Sequence, residues 1–186
     1  MDFHFLPYEL NPDMDEKGEL IESYFTRRMG WNEPQLLDYQ KSLVETAKNA
    51  NVTIDFSKRK YYYNTRKAHL LMHLAESVNK QEELNNIFIK AYFKEGLDIH
   101  STSQLGGIGE AIGLDKRNIE TALASTKYNK ELDKKIERYQ VFKIKRIPSF
   151  IINNSVFISG PNSVDVYESE LSKLIGTTDI ERKEVL

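Results

Sequence analysis

His69 and His73 stand four residues apart, a spacing that puts two imidazoles on one face of a helix and suits a metal ion. No H-E-x-x-H motif surrounds them and no third ligand lies close in sequence, so a packing or cleft-lining role for His69 is expected over a metal site. Leu105-Gly106-Gly107-Ile108-Gly109 has the glycine content of a phosphate loop. It lacks the preceding strand and the Lys-Ser/Thr that would complete one, which leaves glycines at a helix crossing. Tyr61-Tyr62-Tyr63 could line a peptide cleft, but aromatic packing between elements is the expected use. The chain contains no cysteine, which excludes disulfides, thiolate nucleophiles and thiolate metal ligands from this polypeptide. The remaining candidate is Ile147-Pro148-Ser149-Phe150, a proline at the mouth of an apolar, β-branched run. Proline has no N–H for a ladder, so this position marks an edge, a bulge or a special loop, and an X-Pro bond is one that can be cis.

The elements that would position these residues follow from periodicity. A short strand is expected over Asp2–Tyr8, carrying Phe3, Phe5 and Leu6, and a helix over Leu20–Met29 that stops at Gly30. Asn32 followed by Pro34 reads as a helix start, with Leu36, Leu37, Leu43, Val44 and Ala47 on one face. From Asn64 onward, Ala68, Leu71, Met72, Ala75 and Val78 form one apolar stripe, and Leu84, Ile87, Phe88, Ala91 and Tyr92 a second that ends at Gly96. Leu105, Ile108 and Ile112, then Ile119, Ala122 and Leu123, predict a weaker helical pair. A charged helix over about residues 128–143 turns Leu132, Ile136 and Tyr139 inward. A hairpin turning at Asn153-Asn154 and a last helix over Val164–Ile175, closed by Gly176 and followed by a frayed charged tail, complete the chain.

Length and composition bound the function class. A chain of 186 residues, 40% hydrophobic and 29% charged, holds one sizeable core or a core with an insertion. A net charge of −2 and a pI near 6.1 point to neither nucleic acid nor an anionic membrane. The basic clusters Lys58-Arg59-Lys60 and Lys143-Lys145-Arg146 read as solvated faces. No apolar run approaches the roughly 18 residues of a membrane span, and the first residues lack the features of a secretory signal, so a cytoplasmic protein is expected.

Taken in order, several stretches resemble the DsbA family of thioredoxin-fold oxidoreductases, in its FrnE-like branch. They are Pro7-Tyr8-Glu9-Leu10-Asn11-Pro12-Asp13-Met14, Asn64-Thr65 with Ala68-His69, Ala91-Tyr92-Phe93-Lys94-Glu95-Gly96-Leu97-Asp98-Ile99, Gly113-Leu114-Asp115, and Ile147-Pro148-Ser149-Phe150 followed by Ile158-Ser159-Gly160. The resemblance implies an α/β fold, a thioredoxin-like (DsbA-type) sheet with a large all-helical insertion. Residues 1–31 and 141–186 would form the thioredoxin-like part and residues 32–140 the insertion. It also implies that Pro148 is the cis-proline of the substrate-facing loop, with Ile147, Pro148, Ser149 and His69 as substrate-binding residues. The backbone before Pro148 would pair with an extended peptide or protein thiol substrate, and glutathione is a further candidate partner. Without the resemblance, Pro148 simply opens an edge strand.

The chain departs from the family in one respect that bears on chemistry. It begins where the family's second strand would stand, without the first strand, the C-x-x-C motif and the first helix, so the expected fold is N-terminally incomplete. Thiol–disulfide exchange needs a low-pKa thiolate, and no catalytic residue, cofactor or metal is assigned. The Phe3 strand is expected either to lack its partner, as in a truncated reading frame, or to move inward onto the Phe150 strand. An exposed edge at Phe150–Ile152 would favour self-association. Two other functions share the fold: a kappa-class glutathione transferase or 2-hydroxychromene-2-carboxylate isomerase, and a non-catalytic peptide-binding homologue.

Overall fold

The computed structural model describes residues 3–144, 146–154 and 156–183. The chain divides into two compact units, Met1–Glu137 and Arg138–Leu186.

In the first unit, residues 3–18 form an extended arm and turns that lead into β1 (Glu19–Leu20) and α1 (Ile21–Met29). The helix stops at Gly30, whose φ of 68° is left-handed and whose N–H donates to Thr26 O at 3.0 Å. Next, α2 (Glu33–Asn49) opens on a reciprocal capping box: Gln35 N–H donates to Asn32 Oδ1, and Asn32 N–H to Gln35 Oε1. Leu36 is buried, but Leu37 and Val44 are exposed, against the face expected for this helix. The reason is that α2 rests mainly on α1, so one flank of its stripe has nothing to pack against. A small aromatic core fills the junction, with Phe25 stacked on Trp31 at 4.8 Å and Tyr39 and Tyr62 tilted around it. Tyr62 belongs to β2 (Tyr61–Tyr62), which pairs antiparallel with β1. The tyrosine run therefore serves packing, and Tyr63 stacks back on Tyr61 at 5.8 Å.

The main core is helical. It is built by α3 (Arg66–Glu76), α4 (Gln81–Ile89) with a π-helical turn over Lys90–Lys94, α5 (Thr102–Ala111), α6 (Lys116–Ala124) and α7 (Thr126–Gln140). Ala68, Leu71, Met72 and Ala75 are buried as expected, but so are Leu70 and Leu74. A helix buried around most of its circumference is a central one, and α3 packs against α4, α5 and α6. Val78 lies beyond the end of α3 and is exposed. The C-terminal side chains of α7, Tyr139 among them, lie outside the described residues.

Gly109 shows what the glycines of α5 do. A Cβ there would stand 2.7 Å from Ile119 Cδ1, inside the α5–α6 contact, whereas Gly106 and Gly107 face open space. Helix propensity alone favours alanine over glycine by about 1 kcal/mol. Gly106→Ala should therefore raise stability by about 0.5–1 kcal/mol. Gly109→Ala, with the same propensity gain, should fall about 1 kcal/mol below the wild type because overpacking a buried contact outweighs it. Urea unfolding of the two variants checks the opposite signs.

A loop from Asp55 to Lys60 folds onto the π-helical turn, with Asp55 N–H donating to Phe93 O at 2.8 Å. It buries Arg59 to 4% exposure among Phe56, Tyr62, Tyr92 and Phe93, whose ring centroids lie 4.5–5.5 Å from the guanidinium carbon. Arg59 donates to the Tyr92 hydroxyl at 2.9 Å, which donates on to Tyr61 O. Burial pushes the Tyr92 phenol up to about 12, against the opposing pull of Arg59.

In the second unit β3 (Ser149–Ile152) and β4 (Val156–Ser159) form an antiparallel hairpin, followed by α8 (Val164–Lys183). Asn153 and Asn154 take φ of 50° and 55°, the left-handed region that asparagine tolerates best among side-chain-bearing residues. Phe150 meets Tyr167 of α8 edge-on at 5.3 Å, and Ile158 is buried. The last helix does not close at Gly176 but runs on to Lys183. One glycine costs a helix about 1 kcal/mol without ending it, and no proline follows.

Candidate functional site

The arm before β1 corrects the expected first strand: residues 3–9 make no strand, and β3 pairs with β4 alone among the described strands. The inward pairing of the Phe3 segment with the Phe150 strand is thus not formed. Side chains of the helical body hold the arm instead. Gln81, buried, accepts from Phe5 N–H at 3.1 Å and donates to Phe5 O and Met72 O. Asn64 donates to Met14 O at 3.0 Å, and Tyr24 donates to Asn11 Oδ1 at 2.8 Å. Pro7 has no N–H to offer a ladder, and the backbone of Phe5 is already engaged.

His69 sits in this arm contact, with Nε2 3.3 Å from Tyr8 O. His73, one turn on, faces Glu76 and Glu131 at 3.5 and 3.6 Å and meets the Tyr128 ring, so the two imidazoles serve different partners. Among the described residues, no group of three or more His, Cys, Asp or Glu side chains is placed to hold a metal ion. Burial is the main cause that lowers the His69 pKa, opposed by Glu9 and the Tyr8 carbonyl and assisted by Arg66. A histidine lowered on folding binds fewer protons than the unfolded chain below the ordinary value of 6.5. Its neutral form therefore stabilises the fold above that pH, and the contribution is lost as pH falls through the depressed folded value. The urea midpoint should drop as pH is lowered from 7.5 through this window, and His69→Asn should flatten that part of the profile.

Sequence reasoning missed Arg66, the hub beside His69. Its guanidinium donates to Glu9 Oε1 at 3.0 Å, to Asn129 Oδ1 and O, and to Asp133 Oδ1, joining the arm, α3 and α7. Burial works against its charge, yet the Glu9 and Asp133 carboxylates hold its pKa above the ordinary arginine value. Nothing in local periodicity marks an arginine at the first position of a helix as a hub, because its partners lie 57 to 67 residues away.

Ile147, Pro148 and Ser149 are contiguous in the second unit, whereas His69 and its partners belong to the first. The Ile147–Pro148 peptide bond is cis. Gly160 N–H donates to Pro148 O at 2.8 Å, and the register runs from Ser149↔Ser159 to Ile152↔Val156. Bonded and non-bonded pairs alternate in an antiparallel ladder. Pro148, Phe150 and Ile152 therefore turn their backbone groups toward β4, and Ser149 and Ile151 turn theirs away, while Ile147 precedes the strand across the cis bond. Ser149 Oγ donates to Arg146 O at 2.5 Å, which closes the loop behind the proline.

The family model for the DSBA-like thioredoxin domain matches residues 2–172. The chain belongs to this family. The DSBA-like domain takes up nearly the whole sequence, and its fold is α/β with small sheets and a predominance of helix. Across 92% of its length the chain is 25% identical to YwbO, an uncharacterized protein of Bacillus subtilis, of which 82% is covered. A probable DsbA oxidoreductase from Streptomyces coelicolor superposes with a TM-score of 0.83 at 20% identity, covering 91% of this chain and 73% of that one. A putative protein disulfide isomerase from Nitrosomonas europaea gives a TM-score of 0.66 at 12% identity, over 77% and 74% of the two chains. At these identities the two structures speak for the fold alone. Among the described residues, no helix is long and apolar enough to cross a membrane.

Proposed function

We propose that this DsbA-like chain binds extended peptide segments by strand addition along β3 and performs no thiol–disulfide exchange of its own. The carrying observation is the β3 edge opposite β4, where Ser149 and Ile151 direct their backbone groups away from the hairpin and Ile147 leads into the strand. Main-chain pairing at such an edge supplies affinity, and alternate side chains supply selectivity. The absence of cysteine supports the second half of the reading, because exchange requires an attacking thiolate. On this reading residues 1–31 and 141–186 form the thioredoxin-like part around the 32–140 insertion, in the FrnE-like branch and in the cytoplasm. Ile147, Pro148 and Ser149 then contact substrate, and His69 serves the arm.

Amide chemical-shift mapping with an extended apolar peptide tests the proposal. Shifts are expected at Ile147, Ser149 and Ile151, with loss of binding when the peptide is N-methylated on the residues whose N–H groups pair with β3, and retention when the alternate residues are methylated. Shifts confined to α8, or indifference to methylation register, would refute strand addition. Insulin reduction by the same polypeptide should stay at background, and glutathione added to the titration shows whether that thiol occupies the same edge.

A further inference from the structure

We infer that the segment taken up by the β3 edge is apolar where it lies along Ile147–Ile151 and acidic at the end beside Arg146; this rests on the strand-addition reading and names its substrate class. The first observation is charge. Between residues 141 and 164 the charged residues are Lys143, Lys145 and Arg146, with no aspartate or glutamate. Lys143 and Arg146 are exposed, and no carboxylate of the described residues lies within ion-pair distance of either. The carboxylates of this unit begin at Asp165 in the first turn of α8. A cationic flank at one end of an edge fixes which end of an incoming strand carries negative charge.

The second observation is the character of the strand itself. Ile147 and Phe150 remain 49% and 38% exposed and Ile151 is half-buried, so the residues along the edge offer apolar surface to an incoming strand. Side chains alternate between faces, and a strand laid along β3 would set one residue beside Ile151 and the next beside Phe150. A charged residue at either of those positions would lose water without gaining a partner. The five residues from Ile147 to Ile151 thus select an uncharged, apolar stretch, and the charge preference is displaced to the flank. In antiparallel addition, the commoner arrangement, the residue beside Arg146 lies at the C-terminal end of the bound segment.

Three peptides of one apolar five-residue core test this, extended at the C-terminus by two glutamates, two glutamines or two lysines, with a fourth carrying the glutamates at the N-terminus. Titration into the full chain at low ionic strength should rank C-terminal glutamate first, by about three- to tenfold over glutamine, with lysine weakest. The advantage should shrink in about 0.5 M salt and in K143Q/R146Q, while the glutamine peptide binds that variant as it binds the wild type. Equal affinity for the glutamate and glutamine peptides would overturn the inference and leave strand addition standing. So would equal gain from N-terminal glutamates, because general attraction carries no register. Failure of all four peptides to bind would instead sink the strand-addition reading, and the inference with it. Light scattering of the free chain closes the remaining route: a dimer that the glutamate peptide does not dissociate would assign the edge to a second copy and refute the proposal.

Discussion

Gly96→Ala should lower the stability of the helical unit by about 2–4 kcal/mol, among the larger effects expected of a single methyl group. Two costs act together. Gly96 sits at φ 67°, the left-handed region where a Cβ crowds the backbone. The added Cβ would also stand 2.4 Å from Lys58 O and 2.9 Å from Arg59 N. Those are backbone atoms, so no rotamer change relieves the clash, and the loop that carries Arg59 would have to lift from the π-helical turn. Lifting it withdraws Arg59 from the Tyr62, Tyr92 and Phe93 rings and Asp55 N–H from Phe93 O. Gly30 provides the control, with φ 68° but nothing within 4 Å of an added Cβ. Gly30→Ala should cost only about 1 kcal/mol, the conformational part alone. Urea midpoints of the two variants, together with amide exchange over residues 55–62, separate the steric from the conformational cost.

Arg66→Ala is the second large effect, with an expected loss of about 3 kcal/mol. The Arg66 and Glu9 side chains are 23% and 11% exposed, so truncation leaves a nearly buried carboxylate without its partner. It also removes the donors to Asn129 and Asp133 that tie α7 to α3. Arg66→Lys keeps the charge but cannot reach three partners from a single ammonium, and should recover less than half of the loss. Glu9→Gln in the Arg66→Ala background should restore part of the stability by removing the stranded charge. If the double variant is as unstable as the sum of the two single ones, the pair is not coupled and the hub reading is wrong. Amide exchange should show the arm, residues 5–14, opening first in Arg66→Ala, since the arm is fastened by side chains and by no ladder.

The helices were legible because their signals are local. Apolar spacing, the Asn32–Gln35 box and the left-handed Gly30 each act within a few residues, and α1, α2 and the α3–α6 core appear where periodicity predicts them. Where burial depended on what stood opposite, the same periodicity failed. Leu37 and Val44 share the spacing of Leu36, but no neighbour covers them, and Leu70 and Leu74 are buried off the stripe because α3 is surrounded. The arm failed as a strand for a related reason. Alternation in residues 3–8 offers a strand, yet a strand needs a ladder, and no described strand pairs with the arm, whose Phe5 backbone is held by the Gln81 side chain instead.

By itself the sequence determined the helical inventory, the hairpin at Asn153-Asn154, the family and the exclusion of thiolate chemistry, since each follows from residue type or short spacing. The tertiary structure decided which contacts those residues make. It gave the tyrosine run to packing, His69 to the arm, and Arg66 to a hub whose partners lie more than 50 residues away. It also set the register in which Ser149 and Ile151 turn away from β4. Residue type names a donor or an acceptor; only the folded chain decides what stands opposite it.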